Sequence, residues 1–250
     1  MKMEKKTLQD LSELEKQQKK QDLQAIVHLK SGKSLSQWFC LLGVLQIVFY
    51  LLQDILGAMN DPGYQWTRQA VSDLTAVDAS SYMIAEGMAH IYGVLAVVST
   101  SMLCIRINKK GNSMFRLGIV LFTVMNWISC IGYSMFPLSA SGYAGKFQDI
   151  MHVFVITALV VVLSIISLLF ITIGGFREKS NLRNDEMQKK ERKAEQILAI
   201  LALICLVCMI GGAVGSGLVD RAYFGIVERF STYSAVVFGS ALAFYGFQSV

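Results

Sequence analysis

Six stretches of about 20 mostly apolar residues recur along this 250-residue chain. They cover residues 38–56, 83–105, 117–136, 154–173, 197–219 and 227–247. A helix needs about 20 apolar residues to cross the hydrocarbon core of a bilayer, and only a structure that satisfies its own backbone hydrogen bonds can lie in lipid. The sequence therefore predicts an all-α polytopic membrane protein, built as a bundle of six transmembrane helices.

Composition excludes the main soluble classes of protein. The chain is 54% hydrophobic and 16% charged, with a mean hydropathy of +0.48, whereas soluble domains are about 45–50% apolar and about 25% charged. The same figures exclude a disordered chain and a disulfide-rich secreted miniprotein. More than thirty mostly polar residues precede the first stretch. It therefore lacks the short basic start of a signal peptide, and we expect it to stay in the mature protein.

The net charge of +5 is divided unequally between the loops. Nineteen of the 23 Lys and Arg residues lie in three segments, residues 1–36, 106–116 and 174–196. The alternate loops hold only Arg68, Lys146, Arg221 and Arg229. By the positive-inside rule, this pattern predicts a multi-pass protein of the cell (cytoplasmic) membrane with both termini in the cytoplasm. Because the basic residues flank the spans, we expect a membrane lipid as a partner and no nucleic acid.

Two segments outside the lipid carry helical patterns. Residues 1–35 are rich in Lys, Gln and Glu, with apolar residues at helical intervals, which predicts a charged cytoplasmic helix ahead of a transmembrane domain at 36–250. The loop after the first stretch reads NDPGYQWTRQAVSDLTAVD. There Trp66, Ala70 and Leu74 recur every four residues and predict a short amphipathic helix on the outer face.

Arg68 is the only base in this outer loop, so it must find an acid or a phosphate. Asp73, Glu228 and a lipid headgroup are the candidates. A clamp between Arg68 and a carboxylate, which would fix the loop over the bundle, is the structural alternative to a ligand site.

Ionisable residues also lie inside the outer end of the second span and at the mouth of the fourth. Glu86 and His90 have i,i+4 spacing, while Asp149 and His152 have i,i+3 spacing, so each pair can share a helix face. His152, His90, Asp149 and Glu86 are therefore candidate catalytic residues for acid and base chemistry, with or without a metal. Mutual neutralisation within each pair is the alternative. The chain contains neither HExxH nor GxSxG, and the sequence names no metal ligands and no cofactor.

Three separated motifs carry a resemblance to a known family. They are YQWTRQAVSDLTA at 64–76, Phe136-Pro137 ahead of His152, and GIVERF at 225–230. From about residue 36 to 250 the chain resembles a prokaryotic six-span membrane protein family catalogued as domain of unknown function 998. By this resemblance the motif positions are Trp66, Arg68, Gln69, Ser72, Asp73, Pro137, His152, Glu228 and Arg229. The resemblance implies the six-span architecture and a prokaryotic cytoplasmic membrane, and it supplies no activity.

The sequence leaves three functions open. The first is a protein that binds a lipid headgroup or small ligand in an outward-facing polar pocket. Its predicted ligand-binding residues are Trp66, Arg68, Asp73, His152, Glu228 and Arg229, with the arginines on an anionic group. The alternatives are an intramembrane hydrolase, which would use the His and carboxylate pairs, and a transporter component. A homo-oligomer is a partner arrangement that the sequence leaves open.

Overall fold

The structure is a computed structural model that describes residues 32–107, 112–177 and 186–248. Six helices in this part of the chain are long and apolar enough to cross a membrane, and it contains no strand. They are Leu35–Asn60, Tyr82–Ile107, Ser113–Met135, Phe147–Phe176, Lys189–Leu218 and Arg221–Gln248, which we call spans 1 to 6. The predicted all-α, six-span fold is confirmed. Except for its last four positions, the predicted N-terminal helix lies outside the described residues.

Four of the spans are built on continuous α-helices. Their bounds are Tyr82–Ile107, Ser113–Met135, Glu186–Leu218 and Phe224–Gln248, the last preceded by the 3-10 turn Arg221–Tyr223. The shortest has 23 residues and is about 34 Å long at a rise of about 1.5 Å per residue. Each helix is therefore long enough for the hydrocarbon core of a bilayer.

Spans 1 and 4 are irregular. Span 1 consists of helices Leu35–Leu42 and Gln46–Asn60, separated by a turn. In span 4 a π-helix, Met151–Ile156, lies between the α-helical segments Phe147–Ile150 and Thr157–Phe176. Short π-helical insertions change the direction of the side chains around them and are frequent at functional sites.

The spans of the unit Ser36–Val250 pack in the order of the chain. Each span contacts the next, the third and fourth most extensively, and span 6 returns to contact spans 1 and 2. Phe122 and Phe238 pack edge to face at 5.4 Å and connect span 3 to span 6 inside the bundle. Large apolar side chains such as Val207 are exposed on the outside, as expected for helices that contact lipid.

The bundle has two chemically different ends. At one end, Gln37 donates to the Phe247 carbonyl at 3.0 Å and joins span 1 to span 6. The opposite end, which we call the distal end, holds the loops 61–81, 136–146 and 219–220. These loops and the adjoining span ends contain most of the residues that the sequence nominated for function.

The short helix predicted in the loop 61–81 is a 3-10 helix, Val71–Thr75. Asp73 accepts the backbone N–H of Ala70 at 3.0 Å, which closes a tight capped turn instead of a longer amphipathic α-helix. Trp66 lies in the turn before this helix, and its side chain is exposed.

Candidate functional site

Arg229 of span 6 holds the loop 61–81 against the bundle. Its Nε and Nη2 donate to the two carboxylate oxygens of Asp54 at 2.8 and 2.7 Å. Nη2 also donates to the Tyr64 hydroxyl at 2.7 Å. Nη1 donates to the carbonyl oxygens of Trp66 at 2.7 Å, Gln69 at 3.2 Å and Gly225 at 2.9 Å. All five N–H groups of the guanidinium therefore have protein acceptors.

The Asp54–Arg229 pair is nearly buried and has further support. Both side chains are 11% exposed, and Tyr233 donates its hydroxyl to Asp54 at 2.7 Å. A bidentate pair with every remaining group satisfied is the arrangement in which buried charges are tolerated. The sequence hypothesis placed Arg229 on a ligand, whereas the geometry gives it a role in holding spans 1 and 6 and the loop together.

Gly225 permits the close approach of the loop to the start of span 6. Its N–H donates to the Thr67 carbonyl at 2.8 Å. A Cβ at this position would overlap the carbonyl oxygens of Trp66 and Gln69. Glycine is therefore the residue that lets these carbonyls reach Arg229.

Tyr64 extends this network into the loop. Its hydroxyl accepts from Arg229 and donates to the Ala70 carbonyl at 2.8 Å. Burial raises the pKa of Tyr64 above its usual range. The phenol consequently keeps the proton that it donates.

Arg68 does not form the clamp considered from the sequence. Its side chain is exposed, and it makes no ion pair or side-chain hydrogen bond to any residue that the structure describes. The clamp exists at Arg229 and Asp54 instead, because their positions on spans 1 and 6 face each other beneath the loop.

Asp73 joins two distal loops. Besides the Ala70 N–H, it accepts the N–H of Gly142 at 2.8 Å, where a φ of 79° suits glycine. Burial raises the pKa of Asp73 above its usual value, while the two N–H donors oppose this shift.

Asp149 has a structural role at the start of span 4. One carboxylate oxygen accepts the N–H of Ser139 at 2.7 Å, and the other accepts its hydroxyl at 2.8 Å and the N–H of Lys146 at 3.1 Å. The side chain is fully buried. These bonds cap the helix and fold the loop 136–146 back onto it.

His152 lies in the π-helical segment and is only 6% exposed. Its Nδ1 lies 2.7 Å from the Phe136 carbonyl oxygen, and its ring packs on Tyr133 at 4.7 Å. Because a carbonyl oxygen can only accept, Nδ1 carries the proton, and in the neutral form of the ring Nε2 is a bare acceptor. Within the described residues, Nε2 has no hydrogen-bond partner.

The carboxylate of Glu228 also has few hydrogen-bond partners. Its Oε2 lies 3.5 Å from the Val71 nitrogen, at the limit of a hydrogen bond. Its Oε1 has no hydrogen bond to a described residue, and no described base forms an ion pair with this carboxylate. The neighbouring Arg229 faces Asp54 instead.

These groups lie in one connected region, which we call the distal polar cluster. It consists of Tyr50, Asp73, Tyr92, Tyr133, His152 and Glu228. Asp73 interacts electrostatically with both His152 and Glu228. Glu228 interacts in the same way with Tyr50 and Tyr133, and the rings of Tyr50 and Tyr92 pack at 5.2 Å. Spans 1, 2, 3, 4 and 6 and the loop 61–81 all contribute to the cluster.

The other predicted pair, Glu86 and His90, lies apart from the cluster. His90 Nε2 is 3.2 Å from the Glu86 carboxylate, and the His90 side chain is 54% exposed. No contact or electrostatic interaction connects this pair to His152 or Asp149 within the described chain. The four candidate catalytic residues therefore do not form one site.

In the described part of the chain, no three His, Cys, Asp or Glu side chains lie close enough together to hold a metal ion.

The sequence did not predict that Asp54 pairs with Arg229, and it did not predict that the three tyrosines belong to the cluster. The available signal was weak, because tyrosines in apolar helices usually serve packing. Asp54 was a stronger signal, since a carboxylate inside a span needs a partner.

Comparison with known proteins identifies the family of the chain. The model of a family described as "Protein of unknown function (DUF998)" matches residues 44–245. No curated protein and no solved structure matches the chain. The matched region contains spans 2 to 5 completely, most of spans 1 and 6, and all residues of the distal polar cluster. The predicted membership of this family is confirmed, and the chain belongs to the DUF998 family.

Proposed function

We propose that this protein binds the headgroup of a membrane lipid, or a small polar molecule, in the distal polar cluster. In this proposal the distal end faces outward from the cytoplasmic membrane, as the distribution of basic residues predicts. His152, Glu228 and Asp73 contact the ligand. Arg68 and Trp66 lie on the exposed rim and contact the lipid surface.

One observation carries the proposal: several polar atoms of the cluster have no hydrogen-bond partner within the described protein. They are Nε2 of His152, Oε1 of Glu228 and the hydroxyl of Tyr92. A polar group that finds neither water nor a ligand costs about 1–3 kcal/mol, and more when it is charged. Polar groups placed at such a cost inside a membrane bundle usually mark a binding site or a wet cavity.

Arg229 is not part of the proposed ligand set. Its five donors already have protein acceptors, so a bound anion would have to displace Asp54 or a carbonyl group. Arg229 supports the site indirectly, because it fixes the loop that carries Asp73.

The hydrolase alternative has less support. Asp149 is occupied by Ser139 and Lys146, while Glu86 pairs with His90 away from the cluster. Asp149 interacts electrostatically with His152, but the structure shows no hydrogen bond between them, since the Phe136 carbonyl holds His152 Nδ1. The transporter alternative remains a hypothesis from the sequence.

Retention of bound molecules tests the proposal. His152→Asn keeps a side-chain N–H that can reach the Phe136 carbonyl but removes the acceptor Nε2, and His90→Asn is the matched control. Each protein would be purified in mild detergent, and its bound lipids and small molecules quantified by native mass spectrometry. We expect wild type and His90→Asn to retain the same ligand, and His152→Asn to retain about tenfold less. Equal occupancy in all three proteins would overturn the proposal.

A further inference from the structure

We infer that the ligand of the distal polar cluster presents a positively charged amine, not an anionic group, to Glu228 and His152. The inference rests on the proposed binding function and specifies the chemistry of the ligand. It departs from the sequence hypothesis, in which arginines held an anion.

The direction of hydrogen bonding favours a donor ligand. Carboxylates of Asp73 and Glu228 accept hydrogen bonds, and so does the bare Nε2 of the buried His152. The Phe136 carbonyl holds Nδ1 on one side of the ring, so Nε2 lies on the other side and is left for a ligand. His152 also interacts electrostatically with Asp149 and Asp73. A protonated primary amine supplies three N–H donors and satisfies such a group of acceptors.

The charge balance leads to the same chemistry. Asp54 and Arg229 neutralise each other in a bidentate pair. Asp73 and Glu228 interact with each other, and neither forms an ion pair with a described base. When both are ionised, their like charges repel strongly in surroundings of low dielectric, and a bound cation between them removes this repulsion.

Aromatic rings supply a second attraction for a cation. Tyr50 and Tyr133 both lie close enough to Glu228 to interact with it electrostatically, and Tyr92 packs against Tyr50 at 5.2 Å. The faces of aromatic rings attract ammonium groups, and several rings beside a carboxylate are a known way to recognise them.

The cluster is poorly suited to a phosphate or carboxylate ligand. Few donors of the cluster are free, because Tyr133 donates to Thr157 at 3.1 Å and Arg229 has no N–H left over. Such a ligand would also approach Asp73 and Glu228, whose charges repel it.

Two lipids with the same acyl chains and different headgroups test the inference. The purified protein would be titrated with phosphatidylethanolamine or with phosphatidylglycerol, and occupancy measured by native mass spectrometry. Glu228→Gln removes the proposed amine contact. Glu86→Gln is the matched control, because it removes a carboxylate from a span outside the cluster. We expect wild type and Glu86→Gln to prefer phosphatidylethanolamine by about tenfold, and Glu228→Gln to lose this preference.

The possible results separate the inference from the proposed function. A Glu228-dependent preference for phosphatidylglycerol would overturn the amine inference and leave the binding function standing. Equal binding of both lipids, unchanged in Glu228→Gln, would overturn both. If circular dichroism shows that Glu228→Gln is not folded, the test compares the headgroup preference of the wild type with that of Tyr92→Phe instead.

Soluble ethanolamine distinguishes the two sources of the amine. Displacement of bound phosphatidylethanolamine by ethanolamine would show that the amine alone is recognised. Resistance to displacement, together with the preference for phosphatidylethanolamine, would assign the site to the lipid headgroup.

Discussion

The guanidinium of Arg229 has no N–H left over once Asp54, Tyr64 and three carbonyl groups are counted. This single side chain connects spans 1 and 6 to the loop between spans 1 and 2. Its bonds reach residues as far as 175 positions away in the chain. Arg229 therefore contributes to stability, whereas the cluster around Glu228 is the proposed binding site.

Substitution of either charged partner should destabilise the fold. Asp54→Asn leaves Arg229 buried without its counter-charge, at an expected cost of about 3 kcal/mol in the free energy of unfolding. The double variant Asp54→Leu with Arg229→Met removes both charges and should recover most of this loss. Thermal unfolding of the purified proteins in one detergent measures both effects.

Arg68→Gln is the control for that series. Arg68 is exposed and has no ion-pair partner in the described chain, so its replacement should change the free energy of unfolding by less than about 0.5 kcal/mol. A larger loss for Arg68→Gln than for Asp54→Asn would contradict the assignment of the clamp to Arg229.

For single residues, the sequence could indicate which charged side chains matter but not which partners they have. His152, Asp73 and Glu228 stood out because ionisable residues near or inside spans are rare and costly. Which acid faces Arg229 depends on the rotation of spans 1 and 6 about their axes, and an apolar pattern in lipid does not fix that rotation. Arg68 and Arg229 were therefore both predicted to bind the ligand, although every N–H of the Arg229 guanidinium has a protein acceptor and Arg68 is exposed.

Gly225 determines how closely the loop 61–81 approaches span 6. In Gly225→Ala the new methyl group meets the carbonyl oxygens of Trp66 and Gln69, so the loop must move away from Arg229. We expect a loss of about 1–3 kcal/mol in the free energy of unfolding, and weaker ligand retention because Asp73 moves with the loop.

Gly211→Ala is the matched control at the scale of the helix. Nothing lies within 4 Å of a Cβ built at Gly211, and alanine favours the helix by about 1 kcal/mol over glycine. This variant should therefore be neutral or more stable. Equal stability of Gly225→Ala and wild type would contradict the proposed contact between loop and span.

The spans could be predicted because the number of consecutive apolar residues alone determines them. The local helix type was less predictable because it depends on local hydrogen bonds. All six spans followed from the number of consecutive apolar residues. The π-helical segment Met151–Ile156 was not predicted, because MHVFVI has no sequence feature that separates it from an α-helix. It depends on contacts such as the Thr157 hydroxyl donating to the His152 carbonyl at 2.8 Å.

For the whole molecule, the proposed orientation makes the distal end accessible from outside the cell. Arg68→Cys would place an exposed thiol in the distal loop, while Ser34→Cys would place one near the N-terminus. Treatment of intact cells with a membrane-impermeant maleimide should label the first and not the second, because in the proposed orientation the basic flanks lie in the cytoplasm. Labelling of Ser34→Cys alone would reverse the orientation.

The six-span architecture places the distal polar cluster where five spans and one loop meet, and the central claim is that this cluster holds a ligand. A density map of the protein purified from its own membrane in lipid nanodiscs tests it most directly. We predict density for a bound molecule within hydrogen-bond distance of His152 Nε2 and the Glu228 carboxylate. A map in which His152 Nε2 contacts a protein carboxylate directly, with no further density among the tyrosines, would contradict the account.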